Sequence, residues 1–204
     1  MLAETSPIVA GSIKTPAMDV QHQIAESADI FMRLRRQNTP QIEKMAEMIS
    51  ESLKSGGKML LLGNGGSQSQ AQHIAAEFLG RYALDRKPMR ALALSNLSAI
   101  TAIGNDFGFE HVYERQIQAL CDKNDVVVGL STSGKSQNVL LAIQAAKARG
   151  AKTIGLTGAD GTQLETIVDL AIVVPSRNVP RIQEAHLLIG HIVSGIVEER
   201  LAPL

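Results

Sequence analysis

His73 and Glu77 stand four residues apart in AQHIAAEFLG, so on a helix both project from one face. A histidine and a carboxylate at that spacing suit a metal site or an acid/base pair, and equally a plain surface hydrogen bond. Near the C-terminus Gln183, Glu184, His186 and His191 interrupt an otherwise apolar run. His191, among Leu187, Leu188, Ile189, Ile192 and Val193, has no polar partner in its own segment. It reads as a ligand or as a core histidine satisfied from elsewhere. Two further segments suit an oxyanion. In GNGGS, three glycines from Gly63 to Gly66 let backbone N–H groups converge, with Asn64, Gly65, Gly66 and Ser67 at the opening of a helix. In STSGKS, Ser131, Thr132, Ser133 and Ser136 supply four hydroxyls beside the start of another helix. The bland readings are a tight turn for the first and an N-cap with spare serines for the second. In GNDFGF, Asn105 and Asp106 read as a turn that presents a carboxylate.

Gly129 to Ser136 also satisfies G-x-x-x-x-G-K-[ST], the P-loop pattern, between a strand and a helix. A nucleoside triphosphatase would need an Asp at a strand end to hold Mg²⁺. The nearest candidate, Asp160, lies past Gly158.

These segments need elements to position them. KMLLLG (58–63), RALALS (90–95), DVVVGLS (125–131), KTIGLTG (152–158) and LAIVVP (170–175) are short, nearly unbroken apolar runs. Such runs suit strands covered on both faces, as in a parallel sheet. Helical stretches alternate with them at roughly 67–83, 97–104, 109–121 and 136–149, with a short turn near 162–167 and a last helix at about 180–201. This alternation predicts an α/β fold, a doubly wound five-stranded parallel sheet flanked by helices. Upstream, residues 19–37 and 40–55 predict an N-terminal helical pair divided at Asn38-Thr39-Pro40. Thr39 would be the N-cap of the second helix and Gly56-Gly57 its stop. Residues 1–17 read as a mobile arm ahead of a single domain, 18–204.

Composition narrows the function. The 204 residues carry 20 Lys+Arg against 20 Asp+Glu, so no basic excess recommends nucleic acid or an anionic membrane surface. No run of about 20 apolar residues suggests a membrane span. The one cysteine, Cys121, cannot pair within the chain, which fits a reducing, cytoplasmic setting, and it reads as a small buried hydrophobe.

Five segments in order, GNGGSxxxAQHxAAEFLGRY, SAITAIGNDFGFEHVYERQI, DVVVGLSTSGKSxNVLLAIQAAKARG, TIGLTGADG and VPRIQEAHLLIGHI, resemble the sugar isomerase (SIS) family, and within it the phosphoheptose isomerases. The resemblance spans about residues 20–200. It implies an aldose–ketose isomerase that converts sedoheptulose 7-phosphate to a heptose 7-phosphate, the first step toward nucleotide-activated heptose. The implied substrate site comprises Asn64, Gly65, Gly66, Ser67, Glu77, Asn105, Asp106, Ser131, Thr132, Ser133, Ser136 and Gln183. Positions matching His73, Glu77, Gln183 and His191 are zinc ligands in the family, one ion per subunit, and Glu77 and His191 match its proton-transfer pair. The resemblance further implies a cytoplasmic homotetramer assembled through residues 18–56. Three positions differ from common family patterns: Lys135 where STSGNS is usual, Gln70 where some members carry an acid, and Pro180 where others carry an Asp.

The chemistry accounts for those residue types. Moving a proton between adjacent carbons through an enediolate needs a base, an acid and stabilisation of negative charge. The competing reading is a non-catalytic SIS-domain module that binds a protein, of the replication-initiator-associating type. Such a module has no physical need of an acid/base pair beside a phosphate pocket.

Overall fold

The computed structural model describes residues 19–202, so the expected arm at 1–17 lies outside the described residues. The chain begins with α1 (Val20–Lys54) and continues β1 (Met59–Gly63), α2 (Gly66–Leu79), β2 (Ala91–Ala93), α3 (Leu97–Phe107) and a 3₁₀ turn at Phe109–His111. Then come α4 (Glu114–Leu120), β3 (Val126–Ser131), α5 (Gln137–Ala148), β4 (Lys152–Gly158), α6 (Thr162–Ile167), β5 (Leu170–Val174) and α7 (Val179–Leu201). The five strands form one sheet in the order β2-β1-β3-β4-β5, and every pairing is parallel. The α/β expectation therefore holds, strand by strand.

The unbroken apolar runs have the reason expected of them. Met59 and Leu61 of β1, with Val126, Val128 and Leu130 of β3, join the core under α1, α2 and α7. Their neighbours Leu60, Leu62 and Val127 join a second core under α4, α5 and α6. Alternate side chains point to opposite faces, and both faces are dry, so no polar residue interrupts the strand.

Two expectations are corrected. The N-terminal helical pair is one helix, with Pro40 inside it. Thr39 does not cap a second helix; its hydroxyl donates to the Arg35 carbonyl, 2.7 Å away, within the same helix. An interior proline costs about 3 kcal/mol. The buried stripe Ile30, Leu34, Ile42, Met45 and Ile49 runs through it, and its burial outweighs that cost at about 1.5–3 kcal/mol per large apolar side chain. Asn105 and Asp106 do not form a turn either, but complete the last turn of α3. The stop comes at Gly108, whose φ of +97° only glycine adopts without strain.

The strand order reverses between β1 and β3: β2 lies on one side of that pair, β4 and β5 on the other. In an open α/β sheet the loops at such a reversal part and leave a crevice at the carboxyl ends of the strands. Gly63 and Leu130 are register partners, so the glycine loop and the hydroxyl loop emerge there side by side.

Candidate functional site

The glycine loop is built for backbone approach. Gly65 precedes α2 with φ +54° and ψ −121°, and no side chain caps the helix. A Cβ at Gly63 would lie 2.9 Å from the Leu130 carbonyl oxygen and 2.8 Å from Ser67 Cβ, so the turn closes against β3 only without one. The Asn64 and Asn138 amides exchange two hydrogen bonds of 2.9 and 2.8 Å, which tie this loop to the start of α5. They line a hollow of about 300 Å³ together with Ser136, Gln137, Phe109 and Glu110.

The hydroxyl loop makes the same provision. Ser136 precedes α5 yet makes no side-chain cap. Its Oγ instead faces Ser131 Oγ at 3.0 Å, so the N-terminal N–H groups of α5 are left to an anion. Gly134 has φ +64°, and a Cβ there would lie 2.4 Å from Gly161 Cα, which fixes the loop against the end of β4. Lys135 is exposed. Asp160, the nearest candidate to serve a P-loop, is 2.8 Å from Arg177 Nε instead.

About two and three turns along α2 from the glycine loop, His73 and Glu77 meet His191 from α7. His73 Nε2 lies 2.9 Å from His191 Nε2 and 3.3 Å from Glu77 Oε1. One ligand atom from each of the three lies within 4.8 Å of the others. A tetrahedral zinc with N and O ligands at about 2.0–2.2 Å spaces them roughly 3.3 Å apart, so two imidazoles and a carboxylate fit the ion in type and spacing. Of the three, His191 also lines a hollow of about 570 Å³, together with Tyr82, Leu84, Ile192 and Gly195. His191 is thus half-buried at a site. The core histidine of this helix is His186, fully buried and, among the described residues, without a hydrogen-bond partner on either ring nitrogen. Burial pushes its imidazole down to about 4, against a weaker opposing contribution from the Thr157 backbone.

Gln183 occupies the other end of the site. A Cβ on Gly66 would lie 2.6 Å from its Nε2, so the amide rests on the start of α2. Eight residues, about 12 Å of helix axis, separate it from His191. Gln70 donates to the Gln183 carbonyl and so pins α7 to α2 at that end. Pro180 sits in the first turn of α7, where a missing N–H costs nothing. Asn105 Nδ2 donates to Asp106 Oδ1 at 2.8 Å. Asp106 lines a separate hollow of about 690 Å³, bordered by Ser95, Asn96 and Arg115.

Several residues that position the site went unread in the sequence. Tyr113 is buried, its hydroxyl donates to the Gly63 carbonyl, and burial pushes its pKa up to about 12. Gln68 Oε1 accepts from Gly63 N and from that hydroxyl, both at 3.3 Å. Glu198, buried on α7, accepts from the backbone N–H groups of Tyr82, Ala83 and Leu84 and from Arg86. Burial works to raise its carboxyl, but those donors outweigh it and hold the pKa below the usual carboxylate range. Cys121 behaves as expected of a small hydrophobe: it is fully buried, and burial first, then the Asp125 carboxylate, pushes its thiol up to about 11.

The SIS domain family matches residues 22–158. A phosphoheptose isomerase of Geobacter sulfurreducens is 48% identical over 186 residues, which are 91% of this chain and 98% of the relative. Among solved structures, phosphoheptose isomerases from Neisseria gonorrhoeae and Francisella tularensis superpose with TM-scores of 0.84 and 0.86 at 38% and 33% identity. Each alignment covers 88% of this chain, and respectively 97% and 96% of the other. With the glycine loop, the hydroxyl loop and the His73–Glu77–His191 trio all in place, the chain belongs to the SIS domain family, and within it to the phosphoheptose isomerases.

Proposed function

We propose that the chain is the aldose–ketose isomerase that converts sedoheptulose 7-phosphate to D-glycero-D-manno-heptose 7-phosphate, the opening step toward nucleotide-activated heptose. The observation that carries this reading is the meeting of Glu77 and His191 about three helical turns along α2 from its uncapped N-terminus, with the uncapped N-terminus of α5 following the neighbouring strand end. The phosphate lies against Ser131, Thr132, Ser133, Ser136 and the N–H groups of α5. The sugar extends along Asn64, Gly65, Gly66 and Ser67, with Gln183 contacting it from α7. Asn105 and Asp106 are substrate contacts by the family resemblance alone; in this chain Asp106 faces the separate hollow beside Ser95, Asn96 and Arg115.

Glu77 takes a proton from C1 of the ketose while His191 gives one to the C2 oxygen, forming the enediol. His191 then accepts the proton of the C1 hydroxyl, and the carbon proton returns at C2. His73, Glu77 and His191 would hold one zinc ion per subunit, which when bound polarises the carbonyl oxygen as a Lewis acid. Gln183 is the further family ligand. In this chain its amide rests against Gly66 at the start of α2, beside the proposed sugar path, which favours a substrate contact.

A homotetramer formed through the segment 18–56 is supported by α1, where Val20, Ile24 and Met32 are 70%, 65% and 45% exposed. No described helix is long and apolar enough to cross a membrane. A cytoplasmic setting, a small-molecule substrate and neither nucleic acid nor membrane as partner belong to the same proposal, on the balance of 20 Lys+Arg against 20 Asp+Glu. The chemistry of the trio speaks against a purely protein-binding module.

The test is NMR of the sugar carbons with purified protein, sedoheptulose 7-phosphate and added zinc. Appearance of the aldose supports the reading. No conversion, together with no rise in melting temperature on adding the sugar phosphate, would overturn it.

A further inference from the structure

Arg86 lies in the segment between α2 and β2, four residues beyond the AQHIAAEFLGRY stretch. Its side chain is only 3% exposed, and that of its partner Glu198 only 2%. Its Nε donates to Glu198 Oε1 at 2.9 Å. Nη2 donates to the Glu77 carbonyl at 2.7 Å, and Nη1 to the carbonyls of Phe78 at 2.9 Å, Gly80 at 3.1 Å and Lys87 at 3.1 Å. One guanidinium thus caps the Glu77, Phe78 and Gly80 carbonyls at the end of α2, where helix geometry provides no partner, and reaches the Lys87 carbonyl beyond it. The Glu198 carboxylate binds the N–H groups of Tyr82, Ala83 and Leu84 at 2.7–2.9 Å.

The two halves of this clamp lead to the two halves of the acid/base pair. Arg86 grips the backbone of Glu77 itself. Glu198 is on α7 seven residues past His191, two turns along the same side of the helix. Between them the clamp fixes Tyr82, whose ring centroid is 6.0 Å from that of His191. The Tyr82 ring crosses α7 at Gly195, where a Cβ would lie 3.1 Å from its Cε1. A buried ion pair is no better for stability than well-packed apolar residues of the same volume. Its directional hydrogen bonds do what apolar packing cannot, since they set the end of α2 at a fixed height against α7.

We propose that Arg86, acting with Glu198, is a positioning residue that holds the Glu77 carboxylate and the His191 ring in register for proton transfer. The catalytic consequence rests on the isomerase reading above; the geometric one does not. The experiment compares the full-length wild type with R86K, which keeps the charge toward Glu198 but cannot cap four carbonyls. E198Q is a second variant, which keeps the carbonyl caps and loses the charge. Two readouts are taken at a temperature where each protein is folded. One is the ring-to-ring NMR cross-peak between His73 and His191 in histidine-labelled protein; the other is kcat and KM for sedoheptulose 7-phosphate.

The expected result is a lost or weakened cross-peak in R86K, with kcat lowered about tenfold or more and KM within about twofold of wild type, because small misplacement of reacting groups costs rate rather than binding. E198Q is expected to move in the same direction by less. A variant that melts lower yet keeps the cross-peak and the wild-type kcat would show a purely structural pair and overturn the proposal, as would a wild type without the cross-peak. If the wild type fails to turn over the sugar, the isomerase reading falls, and the cross-peak still decides the positioning.

Discussion

His73 Nε2 on α2 and His191 Nε2 on α7 face each other at 2.9 Å, with ring centroids 5.1 Å apart and planes at 68°. Two imidazoles in that arrangement cannot both carry a proton on the facing nitrogens. They share one proton or they share a cation. With Glu77 completing the trio, a divalent metal should stabilise the protein by linkage, about 2.7 kcal/mol at a hundredfold excess over the dissociation constant. Zinc is expected to raise the melting temperature of metal-stripped wild type and to leave that of His73→Ala unmoved. An equal rise in both proteins would place the metal elsewhere.

Gly190 sits beside His191, and a Cβ there would lie 2.5 Å from Ile74 Cδ1 and Cγ1, next to His73. Overpacking a core costs about 1–3 kcal/mol, and exchanging a helical glycine for alanine returns about 1. Gly190→Ala should therefore lose about 1 kcal/mol in denaturant unfolding. It should also lower kcat, because α2 and α7 are wedged apart at the trio. A stabilised variant with full kcat would show that Ile74 yields freely.

Ser131 Oγ and Ser136 Oγ, 3.0 Å apart, face each other at the start of α5, where the proposed reading places the phosphate. A hydrogen bond to a charged group contributes about 1.5–3 kcal/mol. Ser136→Ala should raise KM for the sugar phosphate about tenfold or more and change kcat little, with weaker inhibition by inorganic phosphate. A variant whose kcat falls at unchanged KM would put Ser136 at the chemistry instead.

His186 gives a pH signature unrelated to catalysis. Its folded pKa, lowered by burial to about 4, lies below the unfolded value near 6.5. The unfolded chain therefore binds the extra proton first as pH falls. The stability from this group is fully present above about pH 6.5 and is lost progressively toward pH 4, by about 3 kcal/mol in all. Denaturant titrations between pH 7 and 4 should show this slope in wild type and a shallower one in His186→Leu. An unchanged slope in the variant would assign it to other groups.

The sheet was legible because its strands are dry on both faces. β1 and β3 had to appear as MLLL and VVVGL, with no polar residue to blur them. The glycine loop, the hydroxyl loop and the His73–Glu77 pair were legible because each is local in sequence. Pro40 misled because its local signal says "start", while the side chains either side of it pack along one continuous helix. Asn105 and Asp106 misled because Gly104 looked like a break, when Gly108 is the glycine that needs the positive φ. Arg86 with Glu198, Tyr113 with Gly63, and Asn64 with Asn138 were invisible for another reason. Their partners lie 112, 50 and 74 residues away, and only the folded sheet brings them together.

The central claim is that Glu77 and His191 move a proton between adjacent carbons of a sugar phosphate. Its most direct test is deuterium incorporation at the sugar carbons in D₂O, followed by NMR for wild type, Glu77→Gln and His191→Ala. The account predicts label at C2 of the aldose with wild type, at most trace exchange with Glu77→Gln, and turnover reduced at least about a hundredfold in both variants. Label entering at the wild-type rate with Glu77→Gln would contradict it.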